Sequence, residues 1–379
     1  MCRCPIHCIV PPQVLNRMLK HKDPKIRQSA MDTLLQTAKL RGQRSILRLT
    51  YVSQPTGGGM HRSIYDAQGM QSTSGPLVRD EGKSPSKDSA VNDVYNGFGS
   101  TYKLYNDIYH RDSIDGKGMR MEGVVHFGQK YNNAFWNGAR MMFGDGDGRI
   151  FKGFTKSLDV IGHELTHGVT EFTCALEYHN QSGALNESIS DVFGSLVKQY
   201  ALNQTADKAD WLIGAGILGP ALKGKALRSM KDPGTAFDGD DQPANMSGYV
   251  KLPDTEAGDN GGVHTNSGIP NHAFYLIASA IGGNAWEQAG QVWYDTLQNI
   301  KATADFKAFA SATVTVAGQR YGTGGKVQKA VEDGWDGVGV AVAKPEHPVS
   351  IAESPAGAQM IRAKLERILS EIQETADAI

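Results

Sequence analysis

The residues best placed to do chemistry are His163-Glu164-Leu165-Thr166-His167. Residues four apart stack on one face of a helix, so both imidazoles point at one ion while the glutamate between them lies beside it. That is the signature of a zinc peptidase, in which the glutamate serves as base for a metal-bound water and is not itself a ligand. Leu158, Ile161, Leu165, Val169 and Phe172 recur at helical spacing on the opposite side. The segment therefore carries a buried stripe and a chemical stripe.

A catalytic zinc takes three protein ligands and keeps a place for water, so the two histidines require one more donor. Glu187 is the choice. It opens a second helical pattern, Asn186-Glu187-Ser188-Ile189-Ser190-Asp191. There Ile189, Val192, Phe193, Leu196 and Tyr200 form the apolar stripe, and Glu187 and Asp191 share the other face. With Glu187 on the metal and Asp191 accepting the second ring N–H of His163, the two helices must run antiparallel. The next rung then brings Lys198 toward Asp159. A carboxylate behind a metal histidine fixes its tautomer, and Asn186 is expected to buttress the same ligand set with Asp191.

These helices need a frame. A chain of 379 residues with 40% hydrophobic and 21% charged residues is long enough for two domains and a large core. Lys+Arg 39 against Asp+Glu 40 gives a net charge of -1, which argues against a general nucleic-acid or membrane-surface binder. No stretch reads as a membrane span. Of the 4 cysteines, Cys2, Cys4 and Cys8 crowd the start while Cys174 stands alone, so no disulfide framework supports the body. The run Ile6 to Val10 is short and closed by Pro11-Pro12. It predicts no conventional signal peptide, and hence a cytoplasmic protein or one exported by a signal-independent route.

Residues 1–45 read as a short helical leader, with Val14, Leu15, Met18 and Leu19 on one helix and Ile26, Ala30, Leu34 and Ala38 on the next. The leader is too short to bury a core alone and must dock on the body. A β-rich domain is expected over 46–157, with strands at Ser45 to Val52, Glu122 to Phe127 and Met141 to Phe154, and with Gly144-Asp145-Gly146-Asp147-Gly148 as a hairpin turn. Helical spacing around 186–201, 268–281, 284–300, 305–320 and 324–334 predicts a mainly helical domain over 158–340. The overall class is α+β, with the metal helix at the cleft. Residues 341–379 read as a linker, Lys344-Pro345-Glu346-His347-Pro348, and a tail helix with a stripe of Ile361, Leu365, Ile368 and Ile372, whose partner is unassigned.

The two motifs together resemble the thermolysin family of zinc metallopeptidases. Further matches are Tyr131-Asn132-Asn133-Ala134-Phe135-Trp136-Asn137-Gly138, Leu227-Arg228-Ser229-Met230 and Asp259-Asn260-Gly261-Gly262-Val263-His264-Thr265-Asn266-Ser267-Gly268. They occur in family order over roughly residues 60 to 340. The compact leader with Pro11-Pro12-Gln13 resembles the protealysin-like members, which have a short propeptide.

The resemblance implies a zinc endopeptidase that acts on peptide or protein substrates, with Glu164 as general base. By the same resemblance, His264 and Tyr178 donate hydrogen bonds to the oxyanion and Asp259 holds His264. Asn133 and Ala134 hold the substrate backbone, and Arg228 holds a substrate carbonyl. Phe151, Phe154, Val160, Ile213, Ile217 and Leu227 match the pocket for the residue after the cut bond, which implies a preference for large hydrophobic residues there. The leader becomes an intramolecular inhibitor, removed by cleavage near residues 40 to 55, where Lys39, Arg41 and Arg44 are expected in an exposed connection. A non-catalytic peptide-binding protein on a peptidase scaffold is the alternative reading.

The chain departs from the family pattern behind the metal site. Of the carboxylates that hold a double calcium site in thermolysin, only Asp159 and Asp210 match, and the others correspond to Lys198, Leu212 and Ala215. That calcium site is expected to be lost, with the Lys198 ammonium in its place. The group Cys2, Cys4, His7 and Cys8 admits a second means of latency, a thiolate on the zinc.

Overall fold

A computed structural model describes residues 7–47 and 58–342, with the side chains of 42–47 outside the description. The leader contributes strand β1 (His7–Cys8) and helices α1 (Pro12–Met18) and α2 (Pro24–Leu47). Pro12 opens α1 at a position where a missing N–H costs nothing. Val14, Leu15 and Met18 are buried beneath the helix, so the leader docks on the body through the face the sequence marks as apolar.

The next half is built on strands β2 (Arg62–Asp66) and β3 (Leu77–Asp80), helix α3 (Ser89–Lys103), and strands β4 (Met121–Val125), β5 (Ala134–Trp136) and β6 (Met141–Phe143). They form a mixed sheet in the order β1-β5-β6-β4-β2-β3. The leader's strand is thus one of the two edge strands, antiparallel to β5 with His7 opposite Trp136 and Cys8 opposite Phe135.

Several expected elements are corrected. Ser45 to Leu47 close helix α2 and do not begin a strand, and residues 48–52 lie outside the described residues. The strand expected at Met141 to Phe154 ends at Phe143. The glycine-rich segment after it is no hairpin turn, because its amides turn back on the preceding loop: Gly144 N–H donates to Asn133 O (3.0 Å) and Gly146 N–H to Tyr131 O (3.1 Å). Asp147 then accepts from the amides of Arg149 and Ile150, which closes a local turn instead of a strand pair.

Helix α3 is an element the sequence reading missed. Gly97 and Gly99 weaken its helical signal, yet Asp88 caps it by accepting from Ala90 N–H (2.8 Å). A Cβ at Gly97 would lie 2.6 Å from Ile161 Cδ1, so this glycine allows α3 to pack closely on the metal helix.

The second half is helical: α4 (Leu158–Glu171), α5 (Asn180–Leu202), a small ladder β7 (Leu212–Ile213) with β8 (Arg228–Ser229), then α6 (Asp259–Asn266), α7 (Gly268–Ile281), α8 (Gln288–Leu297), α9 (Phe306–Tyr321) and α10 (Lys326–Gly337). Helix α4 packs on α3, β5 and α5, so residues Asp159 to Thr170 are all buried. The expected linker and tail helix lie outside the described residues. No helix of the described residues is long and apolar enough to cross a membrane.

Candidate active site

Helices α4 and α5 run antiparallel. The pairs Asp159 with Lys198 (2.7 Å), His163 with Asp191 (2.8 Å) and His167 with Asn186 (2.8 Å) advance on one helix as they retreat on the other. Their close approach depends on absent side chains. A Cβ at Gly162 would meet Gly194 Cα at 3.1 Å, and one at Gly194 would meet Asp159 O at 2.5 Å.

That approach brings His163, His167 and Glu187 together, with one donor atom from each within 4.8 Å of the others. The Nε2 atoms of the two histidines face one another at 3.0 Å, and each lies 3.5 Å from a Glu187 carboxylate oxygen. A tetrahedral shell with metal–ligand bonds of ~2.0 Å has edges of about 3.3 Å, so the spacing suits a zinc ion. Glu187 Oε2 and Glu164 Oε1 are buried without a hydrogen-bond partner. Such atoms are costly unless something completes them. The donor set therefore fits the ion that the motif implies. Among the described residues no other group of metal-capable side chains forms.

The surroundings hold these side chains in one arrangement. His163 Nδ1–H donates to Asp191, and His167 Nδ1 lies 2.8 Å from Asn186 Oδ1 and 3.0 Å from Ser190 Oγ. Asp191 is buried, yet its carboxyl is held well below the usual carboxylate range: burial pushes it up, and Arg228 and His163 outweigh that. The Arg228 guanidinium forks onto both Asp191 oxygens (2.7 and 2.8 Å). Asn271, which the sequence reading passed over, adds a hydrogen bond to Asp191 at 2.9 Å. Its signal was a polar side chain in the apolar run of α7.

Glu164 points into the same space and accepts a hydrogen bond from Trp136 N–H (3.1 Å). Burial, then the charge of Glu187, raises its pKa well above the ordinary value. His264 donates Nδ1–H to Asp259 at 2.5 Å, and Asp259 also accepts the His264 backbone N–H (2.8 Å). Burial pulls the His264 pKa down, but Asp259 and Glu187 bring it up to about 9, and each ring nitrogen faces an acceptor, Asp259 Oδ1 or Cys8 O. Tyr178 donates its hydroxyl to Glu187 and lies 3.3 Å from His264 Nε2.

The leader occupies the cleft beside these groups. Cys8 O accepts from His264 Nε2 (2.8 Å) and Ile9 O from Arg228 Nη1 (2.9 Å). Ile9 N–H donates to Ala134 O (3.2 Å), and Val10 N–H donates to Asn133 Oδ1 (3.0 Å). The Cys8 side chain packs with Leu40, Phe127, Tyr131 and Phe135 and is not part of the metal-capable group. The His7 ring instead covers the site, stacked 4.4 Å from the His167 ring and tilted against the Tyr178 ring at 4.4 Å. Cys2 and Cys4 lie outside the described residues.

Ile9 belongs to the same buried cluster as Phe151, Phe154, Val160, Ile213, Ile217 and Leu227. Arg41, expected in an exposed connection, is instead largely covered and lies 3.5 Å from Glu256. Lys39 is exposed, and the Arg44 side chain is outside the description.

The profile of the thermolysin metallopeptidase catalytic domain matches residues 39–171, and that of the thermolysin metallopeptidase alpha-helical domain matches 174–340. The chain belongs to the thermolysin family of metallopeptidases. It is 47% identical over 345 residues to the extracellular metalloprotease of Pectobacterium carotovorum subsp. carotovorum, covering 89% of this chain and 97% of that protein. It is 37% identical over 300 residues to thermolysin of Alicyclobacillus acidocaldarius, which spans 76% of this chain and 53% of that protein. The solved precursor of protealysin from Serratia proteamaculans superimposes with a TM-score of 0.79 at 48% identity, over 88% of this chain and all of that one. The chain is accordingly a thermolysin-like metalloendopeptidase of a zinc-dependent family. Its fold is the two-domain one expected, a sheet-containing half followed by a helical half.

Proposed function

We propose that this protein is the latent precursor of a zinc endopeptidase, with His163, His167 and Glu187 as the metal ligands and Glu164 as the general base. The observation that carries this is the convergence of the three donors on one buried point beside Glu164, with a peptide seated against them. Zinc bound there would lower the pKa of a water and polarise the scissile carbonyl. Glu164, kept basic by burial, takes the water proton and delivers it to the leaving nitrogen. His264 and Tyr178 donate to the oxygen on which charge develops, with Asp259 holding the His264 ring. Arg228 grips the next carbonyl, and Asn133 and Ala134 hold the backbone as they hold the leader.

A preference for a large hydrophobic residue after the cut bond is supported by Ile9, the apolar leader residue that follows the Cys8 carbonyl and is fully buried. Latency by the leader is supported by its seat in the cleft and by the likeness to a protealysin precursor. The Pectobacterium relative's name favours an extracellular site of action. Calcium is replaced behind the metal site: Lys198 Nζ sits 2.7 Å from Asp159, 2.8 Å from Asp210 and 2.7 Å from Leu212 O.

The test is casein hydrolysis by the activated, zinc-loaded protein. It should be blocked by phenanthroline and reduced at least ~10²-fold in Glu164→Gln, while the variant keeps its zinc. Full hydrolysis by Glu164→Gln would overturn the reading.

A further inference from the structure

The polar contacts of residues 8–10 fix a single register of the leader in the cleft. The Cys8 carbonyl meets His264 (2.8 Å) and the Ile9 carbonyl meets Arg228 (2.9 Å), while the Ile9 and Val10 amides bond to Ala134 and Asn133. Hence the Cys8–Ile9 peptide bond has its oxygen on His264, a proposed oxyanion donor, and its nitrogen on the Ala134 carbonyl, a proposed substrate-backbone contact. A segment docked backwards or out of register would plug the cleft without aligning a bond in this way.

We propose that the protein cuts its own leader between Cys8 and Ile9, and that the new Ile9 end stays in the cleft as a retained product, so this cut precedes the appearance of activity. The proposal rests on the catalytic reading above. In the reaction, water's oxygen joins the Cys8 carbonyl carbon, the bond to the Ile9 nitrogen breaks, and the protons leave a Cys8 carboxylate and an Ile9 amine. The chain on the Ile9 side of this bond is anchored over many residues. Ile9, Val10, Val14, Leu15 and Met18 are all buried, and α1 and α2 continue the docking.

The experiment tracks the intact mass of the zinc-loaded full chain with time, beside hydrolysis of a quenched-fluorescent peptide. A species beginning at Ile9 should appear before peptide hydrolysis rises. Its first-order rate should be unchanged on about tenfold dilution, because the bond sits in its own cleft, and it should be absent in Glu164→Gln and in Ile9→Asp. Seating is read without catalysis in the Glu164→Gln chain. There iodoacetamide should modify the buried Cys8 thiol far more slowly than in urea, and Ile9→Asp in that background should remove the protection. Peptide hydrolysis that rises with no Ile9-starting species at any time would overturn the proposal and leave the catalytic reading standing. A cut that slows in proportion to dilution, or Cys8 as reactive in Glu164→Gln as in urea, would also overturn it. No hydrolysis of either bond, even after the leader is removed, would overturn both.

Discussion

Arg228 shows how much one side chain does here. Its guanidinium forks onto Asp191, which fixes His163, and its remaining face takes the Ile9 carbonyl. It therefore ties the peptide's position to the orientation of His163. Because Asp191 is fully buried, removing the arginine leaves a charge with little compensation. Arg228→Met is expected to lose about 3–5 kcal/mol of folding stability, read from urea denaturation of the zinc-free protein. A loss below ~1 kcal/mol would show that Asn271 and His163 suffice for Asp191. The sequence made the carbonyl contact expected through the family likeness but gave no sign of the fork, since residues 191 and 228 lie far apart in the chain.

At the scale of elements, the antiparallel pair α4 and α5 is the part most open to reading from sequence. Each helix shows its buried and chemical faces by spacing, and the rung from Asp159 to Lys198 comes from the same geometry. The strands were less legible, because β5 and β6 are short and fully buried and so show no alternation of apolar and polar residues. Helix α3 was hidden by the glycines that let it approach α4. The Lys198 ammonium lies between Asp159 and Asp210, and in the proposed replacement it supplies the positive charge that calcium would otherwise bring. EGTA with excess zinc is accordingly expected to leave the melting temperature unchanged. A fall of several degrees that calcium alone restores would contradict this replacement.

For the whole molecule, the leader adds a strand to the sheet, lies in the cleft and stacks His7 on His167. Two helices were legible in residues 1–45, but β1 was not, because two residues carry no periodicity and their partner lies more than a hundred positions away. Its proposed consequence is latency. A chain beginning near Ser45, loaded with zinc, is expected to hydrolyse peptides faster than the intact precursor from the first minutes. Equal initial rates would remove the inhibitory role of the leader.

The metal assignment underlies all of this, and zinc-edge X-ray absorption of the zinc-loaded precursor tests it most directly. The predicted shell is nitrogen and oxygen at ~2.0–2.2 Å with imidazole scattering from two histidines. A sulfur at ~2.3 Å would place a cysteine on the zinc and contradict a protein shell made of His163, His167 and Glu187 alone.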